Sequence, residues 1–559
     1  MSAEGKRVLV KIGKLGLVGG AAAIGMIAHA AAAQTVLDRV DPSKVEASVP
    51  KEPPQHPNAP VSSPPKTIPS VPVAAAPVTI GAIALVGLQR LHAADFADIF
   101  ELYVGRTLSP PALAGLTDAI ADRARARGYV FAQATIAPQT MAAGLLRIDI
   151  DEGHVGAVRV EGTDNDAVRA ALAPLVGADP VTLDAVERRL LVAGDIDGVW
   201  IRRTRFAREG AIGVLTVDVG HDRIVGYVGV DNSGSRPIGP LQADLTVKIS
   251  QVLAAADSLT ITGLAIPAEP REFGYLRARY ARRIAADGTE LSAAVSYSHA
   301  HPGSYLTARD IAGDSWTATL GALRPLLRRR AESLWLEASL GVRNVTQDRG
   351  TTRARRDRLT IARVGAYGYV GVAGGRLRSS LTVSQGLDLF GATERGDPFA
   401  SRTDASGRFT SFTLSSDWTM TPIDGVSLAL AAATQLATRP LLVSEETGLG
   451  GGTFLRGYNY SERIGDDGTM GSAELRYDLG HRAGLLAKPQ FYVFTDGGRV
   501  TNLGGGTGGG TLFSTGGGVR SALGTFVDAD LGIAVPLSGI RYDSRNAAPI
   551  INFRLSKRL

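Results

Sequence analysis

Ala473-Glu-Leu-Arg-Tyr-Asp-Leu479 alternates without a break. Successive side chains of a strand point to opposite faces, so Ala473, Leu475, Tyr477 and Leu479 share one face and Glu474, Arg476 and Asp478 the other. The same period sets Leu334, Leu336, Ala338 and Leu340 against Trp335, Glu337 and Ser339. At the end of the chain it sets Ile551, Phe553 and Leu555 against Asn552, Arg554 and Ser556. From about Arg223 to Leu559 such segments follow one another, separated by Gly, Asp and Asn, and helical patterns vanish. In a soluble sandwich the apolar face would be a core. In an exported protein the same dyad pattern puts lipid outside a closed barrel and polar side chains within. Closure is required because lipid satisfies no backbone group. About 335 residues, at about twenty per strand and connection, give about sixteen strands. A barrel of that size has a lumen wide enough for a channel or a plug.

The N-terminus agrees with export. Lys6, Arg7, Lys11 and Lys14 precede an apolar stretch, Leu15 to Ala28, and Ala31-Ala32-Ala33 forms a small-residue cleavage site. Residues 1–33 are therefore expected to be a secretory signal peptide. The chain has no cysteine, which leaves neither a disulfide framework nor a thiolate metal site. Hydrophobic residues make up 44%, yet no run of eighteen apolar residues follows the leader, which argues against a helical membrane protein. The net charge is +6 and the pI about 9.4, but no basic cluster interleaved with aromatics points to nucleic acid.

Residues 34–77 join a short amphipathic piece, Thr35–Val40, to a proline-rich stretch from Pro50 to Pro77 that reads as an extended linker. Two small α/β units follow, 78–153 and 154–221. In the first, strand Val78–Val86 precedes helices Ala93–Val104 and Pro110–Arg127 and strands Tyr129–Ile136 and Leu145–Ile150. Ser109 is placed to cap the second helix, Pro110 and Pro111 sit in its first turn, and Gly128 stops it. The second unit repeats the β-α-α-β-β order with Val155–Val160, Asp166–Leu175, Leu183–Ala193, Val199–Arg205 and Val214–Val219. Neither unit pairs a nucleophile with a base. A sheet edge here offers strand addition to an extended peptide; the alternative is a plain spacer.

The candidate site is Gly448-Leu-Gly-Gly-Gly-Thr-Phe-Leu-Arg-Gly-Tyr-Asn-Tyr460, which sets Arg456 among glycines and aromatics. A guanidinium held inside a structure needs a fixed acceptor. Asp496, in Phe491-Tyr-Val-Phe-Thr-Asp-Gly-Gly498, shares a strand face with Gln490, Tyr492 and Phe494 and is the proposed acceptor. In a barrel, Asp496 points inward at a loop folded into the lumen.

These residues resemble the outer-membrane transporters of two-partner secretion, the hemolysin secretion/activation and filamentous-hemagglutinin transporter family. Leu455-Arg456-Gly457-Tyr458 is similar to that family's loop tip. Phe494, Asp496 and Gly497 are similar to the barrel-wall motif that receives the arginine, and the flanks Gly448–Gly452 and Gly465–Tyr477 also match. The resemblance implies an α+β plus all-β protein: two β-α-α-β-β POTRA domains, then a barrel over 222–559 with residues 444–468 folded inward. It implies a plug helix at Thr35–Val40, although Pro42 follows, and an insertion signal at Phe553 or Leu559 in place of a C-terminal aromatic.

The function implied is export, without ATP, of one large unfolded partner of cytolysin, adhesin or contact-dependent toxin type. POTRA domains in the periplasm would recognise it, and the barrel in the outer membrane would pass it to the cell surface. Outer-membrane lipid and the general barrel-assembly machinery are the other implied partners. No catalytic residue, cofactor or nucleic acid is implied. The eight histidines show no metal spacing. Gly504–Gly510 lacks the Lys-Ser/Thr of a phosphate loop. A barrel-assembly factor and a passive porin are the competing readings.

Overall fold

The computed structural model describes residues 36–46, 77–140, 144–210, 212–481, 484, 486–524 and 527–559. The expected signal peptide, Thr35 and nearly all of the proline-rich stretch lie outside them.

In the first α/β unit the expected strand Val78–Val86 is two strands. Val78–Thr79 pairs with Thr107–Leu108, and Ala82–Val86 runs parallel to Leu145–Asp151. The break falls at Gly81, whose N–H donates to the Gly144 carbonyl at 2.8 Å. The expected strand Tyr129–Ile136 shortens to Gln133–Thr135, because Tyr129 still donates to the Ala124 carbonyl of the preceding helix. That helix, Pro110–Ala126, starts at Ser109 in extended backbone, yet the serine side chain accepts no hydrogen bond. Pro110 and Pro111 remove two of the N–H groups that a cap would satisfy. Its inner face packs Leu116 and Ile120 against Ile80, Phe96 and Ile148.

The second unit repeats the arrangement, with Ala157–Glu161 parallel to Ile212–His221 and Val199–Glu209 antiparallel on the far side. Here the caps are made: the Asn165 side chain accepts from Ala167 N at 2.8 Å, and Thr182 accepts from Ala185 N at 3.3 Å. Phe131 of the first unit enters the core of the second and stacks on Phe206, with centroids 4.0 Å apart and planes 10° from parallel.

Sixteen antiparallel strands, from Ile224–Asp231 to Ile550–Arg558, close into a barrel. Each pairs with the next along the chain, except that a hairpin of Thr447–Leu449 and Arg463–Gly465 lies between Val426–Ala437 and Asp467–Asp478. The outer face carries large apolar side chains that water-soluble folding would hide: Val493 is 58% exposed, Ile551 63% and Leu475 50%. Lipid is the solvent that makes such a face favourable. The closing seam is short, with five register pairs from Arg554–Asp231 to Arg558–Tyr227. Inside it, Arg554 reaches both Asp231 (2.5 Å) and Asp244 (2.9 Å).

The second α/β unit sits on one rim of the barrel. Arg328, Arg329 and Arg330, at and beyond the end of strand Ile311–Arg328, pair with Asp195 (2.7 Å), Asp184 (2.7 Å) and Glu187 (3.1 Å). Beside them Asp197 binds Lys248 at 2.9 Å.

The N-terminal segment lies at the opposite end, inside the barrel. Helices α1 (Val36–Arg39) and α2 (Pro42–Glu46) are each a single turn or little more. Pro42 does not end the segment; it opens α2, at a position where its missing N–H costs nothing. Val40 packs with Ile238, Ile266, Phe273 and Leu306. Asp38 pairs with Arg355 at 2.5 Å, and the Arg39 guanidinium lies 3.5 Å over the Tyr542 ring. The Lys44 ammonium donates to the Glu446 carbonyl.

Candidate functional site

The connection 438–466 does not stay outside the barrel. Its root is pinned by Asp466, which is wholly buried. Asp466 accepts Leu441 N (2.6 Å), Leu503 N (2.7 Å) and Arg402 Nη1 (2.8 Å). Arg402 also holds Glu446 (2.7 Å) and Asp404 (3.0 Å), so three long connections share one buried cluster.

From that root the chain descends to Leu455-Arg456-Gly457-Tyr458. Leu455 is fully buried against Leu449, Met470, Val500 and Leu512, in a left-handed backbone conformation (φ 61°) that a leucine adopts only when packing holds it there. A side chain at Gly457 would strike the backbone nitrogen of Pro536 at 2.9 Å, so the tip lies against the wall only because it has none. The Tyr458 hydroxyl donates to the Ser538 carbonyl and accepts from Ser538 N (3.1 Å).

Arg456 makes a two-pronged contact with Asp496, Nε to Oδ2 at 3.0 Å and Nη2 to Oδ1 at 3.0 Å, and its backbone N–H adds a third bond at 3.1 Å. Its guanidinium carbon lies 3.4 Å from the centre of the Phe494 ring. The structure also brings in residues to which the sequence reading gave no role. Glu474 Oε2 accepts Arg456 Nη1 at 2.5 Å, and its other oxygen accepts Arg520 (2.6 Å) and Arg476 (2.7 Å). Arg520 continues to Asp530 (2.9 Å) and covers the Tyr492 ring at 3.9 Å. Arg456, Arg476 and Arg520 are thus matched by Asp496, Glu474 and Asp530. Such a matched set tolerates burial; a lone buried charge does not.

Gly497 is not part of this contact. It lies on the outer face, where an added carbon would meet the Phe513 ring at 2.7 Å. Strand alternation explains it: Asp496 faces inward, so Gly497 faces out and Gly498 in. Gly498 is the glycine that the loop covers, with Leu449 and Leu455 over it. Among the described residues no group of three or more His, Asp or Glu side chains is placed to hold a metal ion.

Residues 213–521 match the family described as Haemolysin secretion/activation protein ShlB/FhaC/HecB, and residues 78–153 match the POTRA domain of ShlB type. The chain belongs to the ShlB/FhaC/HecB family. It is 25% identical, over 421 residues, to the outer membrane transporter CdiB of Escherichia coli, covering 71% of this chain and 68% of that one. To the heme/hemopexin transporter protein HuxB of Haemophilus influenzae it is 22% identical over 292 residues, 50% of this chain and 51% of that one. Among solved structures, CdiB from Escherichia coli superposes with a TM-score of 0.68 over 90% of this chain and 94% of that chain, at 21% identity. BamA from Haemophilus ducreyi lacking POTRA domains 1–3 gives 0.54 over 86% and 100%, at 13% identity.

This ShlB/FhaC/HecB-family chain is an outer-membrane translocator, with its barrel in that membrane and its POTRA units in the periplasm. The rim that meets the second unit is periplasmic, and the rim that carries Arg402, Asp466 and α1 is extracellular.

Proposed function

We propose that the chain secretes one large unfolded partner protein, of cytolysin, adhesin or contact-dependent toxin type, and that the Arg456 loop is the part of the barrel on which this depends. The observation that carries the reading is the loop tip itself. A charge-matched network, buried at Arg456, Asp496 and Glu474 and partly open at Arg476, Arg520 and Asp530, fastens it at the level where a translocating chain must pass. A passive pore needs no such fastening. The partner meets the exposed strands Ala82–Val86 and Ala157–Glu161 at the POTRA sheet edges, enters beside the second unit and folds outside. Folding at the surface supplies the direction. Gly504–Gly510 lies in the extracellular connection before strand Gly510–Leu523, away from the periplasmic entry. The α1–α2 segment, held by Asp38, Arg39 and Lys44, acts as a plug of the extracellular mouth.

Proteomics of a deletion strain tests the reading. Loss of one large secreted or surface protein, with other barrels unchanged, is the expected result. A fall in many barrel proteins would make the chain an assembly factor, the alternative that the BamA likeness keeps open. An unchanged secreted and outer-membrane proteome would overturn both.

A further inference from the structure

Trp335, Tyr367 and Tyr369 form a partly exposed aromatic group on the lumen wall at the periplasmic rim. Trp335 and Tyr367 are cross-strand partners with stacked rings, centroids 5.1 Å apart and planes 11° from parallel. Tyr369 tilts against Trp335 at 6.1 Å. Their inward direction follows from the register. Arg343 and Arg363 share the odd-numbered face of the same two strands, and both pair with Glu445 of the loop inside the barrel. An aromatic belt at a membrane interface faces lipid; these rings face water.

The group is continuous with the POTRA seat. Arg328, which pairs with Asp195, lies 5.1 Å from the Trp335 ring and donates to the Tyr369 hydroxyl at 3.2 Å. The Arg376 guanidinium lies 4.6 Å from the Tyr369 ring on the other side. Above the rings the wall changes character. Past Leu323 and Glu337, which face each other above Trp335, the inner face carries Thr317, Thr319, Ser339 and Thr382, and none of these four presents a large apolar surface. A polypeptide leaving the second POTRA unit therefore meets rings first and short hydroxyl side chains afterwards.

We propose that Trp335, Tyr367 and Tyr369 are the receiving surface for the unfolded partner, taking its apolar and aromatic side chains as it enters the lumen. This rests on the translocator reading. Ring faces accept varied apolar groups without a fixed sequence, and the flanking guanidiniums add contacts to aromatic side chains. Such a surface suits an extended chain whose sequence changes at every step. The hydroxyl-lined wall beyond gives it little to hold, so capture occurs at the rim and release follows.

The test uses the full-length chain in its own membrane, with its secreted partner slowed by a fused domain that folds early. A photo-crosslinking residue replaces Trp335 or Tyr367, and in a control replaces outward-facing Leu336. Adducts with the partner are expected at 335 and 367 and not at 336. Trp335→Ala with Tyr367→Ala is expected to slow secretion about fivefold, the scale of one ring contact, while the paired Phe variants secrete as the parent does. Heat-modifiable migration of the barrel confirms that each variant has folded. Parent-level secretion by the double-alanine variant, or adducts at Ser339 with none at 335 and 367, would overturn the proposal. Failure of the translocator reading looks different: deletion of the whole chain would leave the secreted proteome unchanged.

Discussion

The lumen has two unlike walls. Strands Asp467–Asp478, Leu486–Thr501 and Gly510–Leu523 present carboxylates, guanidiniums and rings, nearly all engaged with one another or with the loop. Strands Ser333–Arg349 and Gly375–Leu387 present mainly short side chains between the rim aromatics and the loop root. Both walls obey the same outward apolar alternation, so the membrane does not distinguish them. What differs is the inner set, which lipid leaves free to vary. One wall holds a segment of this chain still; the other is, on the reading proposed above, the one past which a different chain moves.

The largest effect should come from breaking the holding wall. Arg456→Ala takes the guanidinium from the buried Asp496 carboxylate, leaving it the residue-456 backbone N–H and the Ser514 hydroxyl, and removes one of the three guanidiniums on Glu474. Removing one partner of a buried ion pair costs about 3–5 kcal/mol. Export of the partner should fall to near background while heat-modifiable barrel remains in the membrane, read by immunoblot of supernatant and envelope. Arg402→Ala should come next. It frees Glu446 and Asp404 and weakens the root without touching the tip, so export should fall severalfold, and surface protease should cut within 438–466 in the variant and not in the parent. Giving the smooth wall the bulk of the other, with Ser339→Trp, should slow export about twofold to fivefold, about 0.4–1 kcal/mol of barrier, with the barrel unaltered.

The smallest effect concerns the POTRA seat. Burial alone would raise the Asp197 carboxyl, but the Lys248 ammonium and the Ser258 hydroxyl outweigh it and hold the group below its usual value. Its contribution is therefore complete above the ordinary carboxylate pKa, about 3.9, and is lost as pH falls through the lowered value. Thermal unfolding in detergent should show no Asp197-dependent change from pH 8 to 5 and a loss of stability below about pH 4. Asp197→Asn should remove that acid step.

Much of this was legible from alternation and from one motif. A two-residue period fixes faces, and a guanidinium among glycines demands an acceptor, which is why Asp496 could be named. Glu474 could not be, because its place beside Arg456 depends on the register of the neighbouring strand, where Ser472 lies opposite Asp496. Gly497 faces away from the contact, as alternation itself signals: counting by two from Asp496 reaches Gly498. The Arg402–Asp466 cluster joins residues 64 positions apart through three connections, and no periodicity encodes such a meeting. A proline inside a helix breaks it, but Pro42 stands at the first position of a new turn, where it is a start.

The stacked pair Phe131 and Phe206 has a mechanical consequence. Two beads on a string would let a pull on the first be absorbed by the joint. With a ring of one unit inside the core of the other, the periplasmic arm is a single stiff lever. Its short end is bolted to the barrel by Arg328, Arg329 and Arg330. A load taken up at the tip becomes torque on that rim, beside the strands that carry Trp335 and Tyr367.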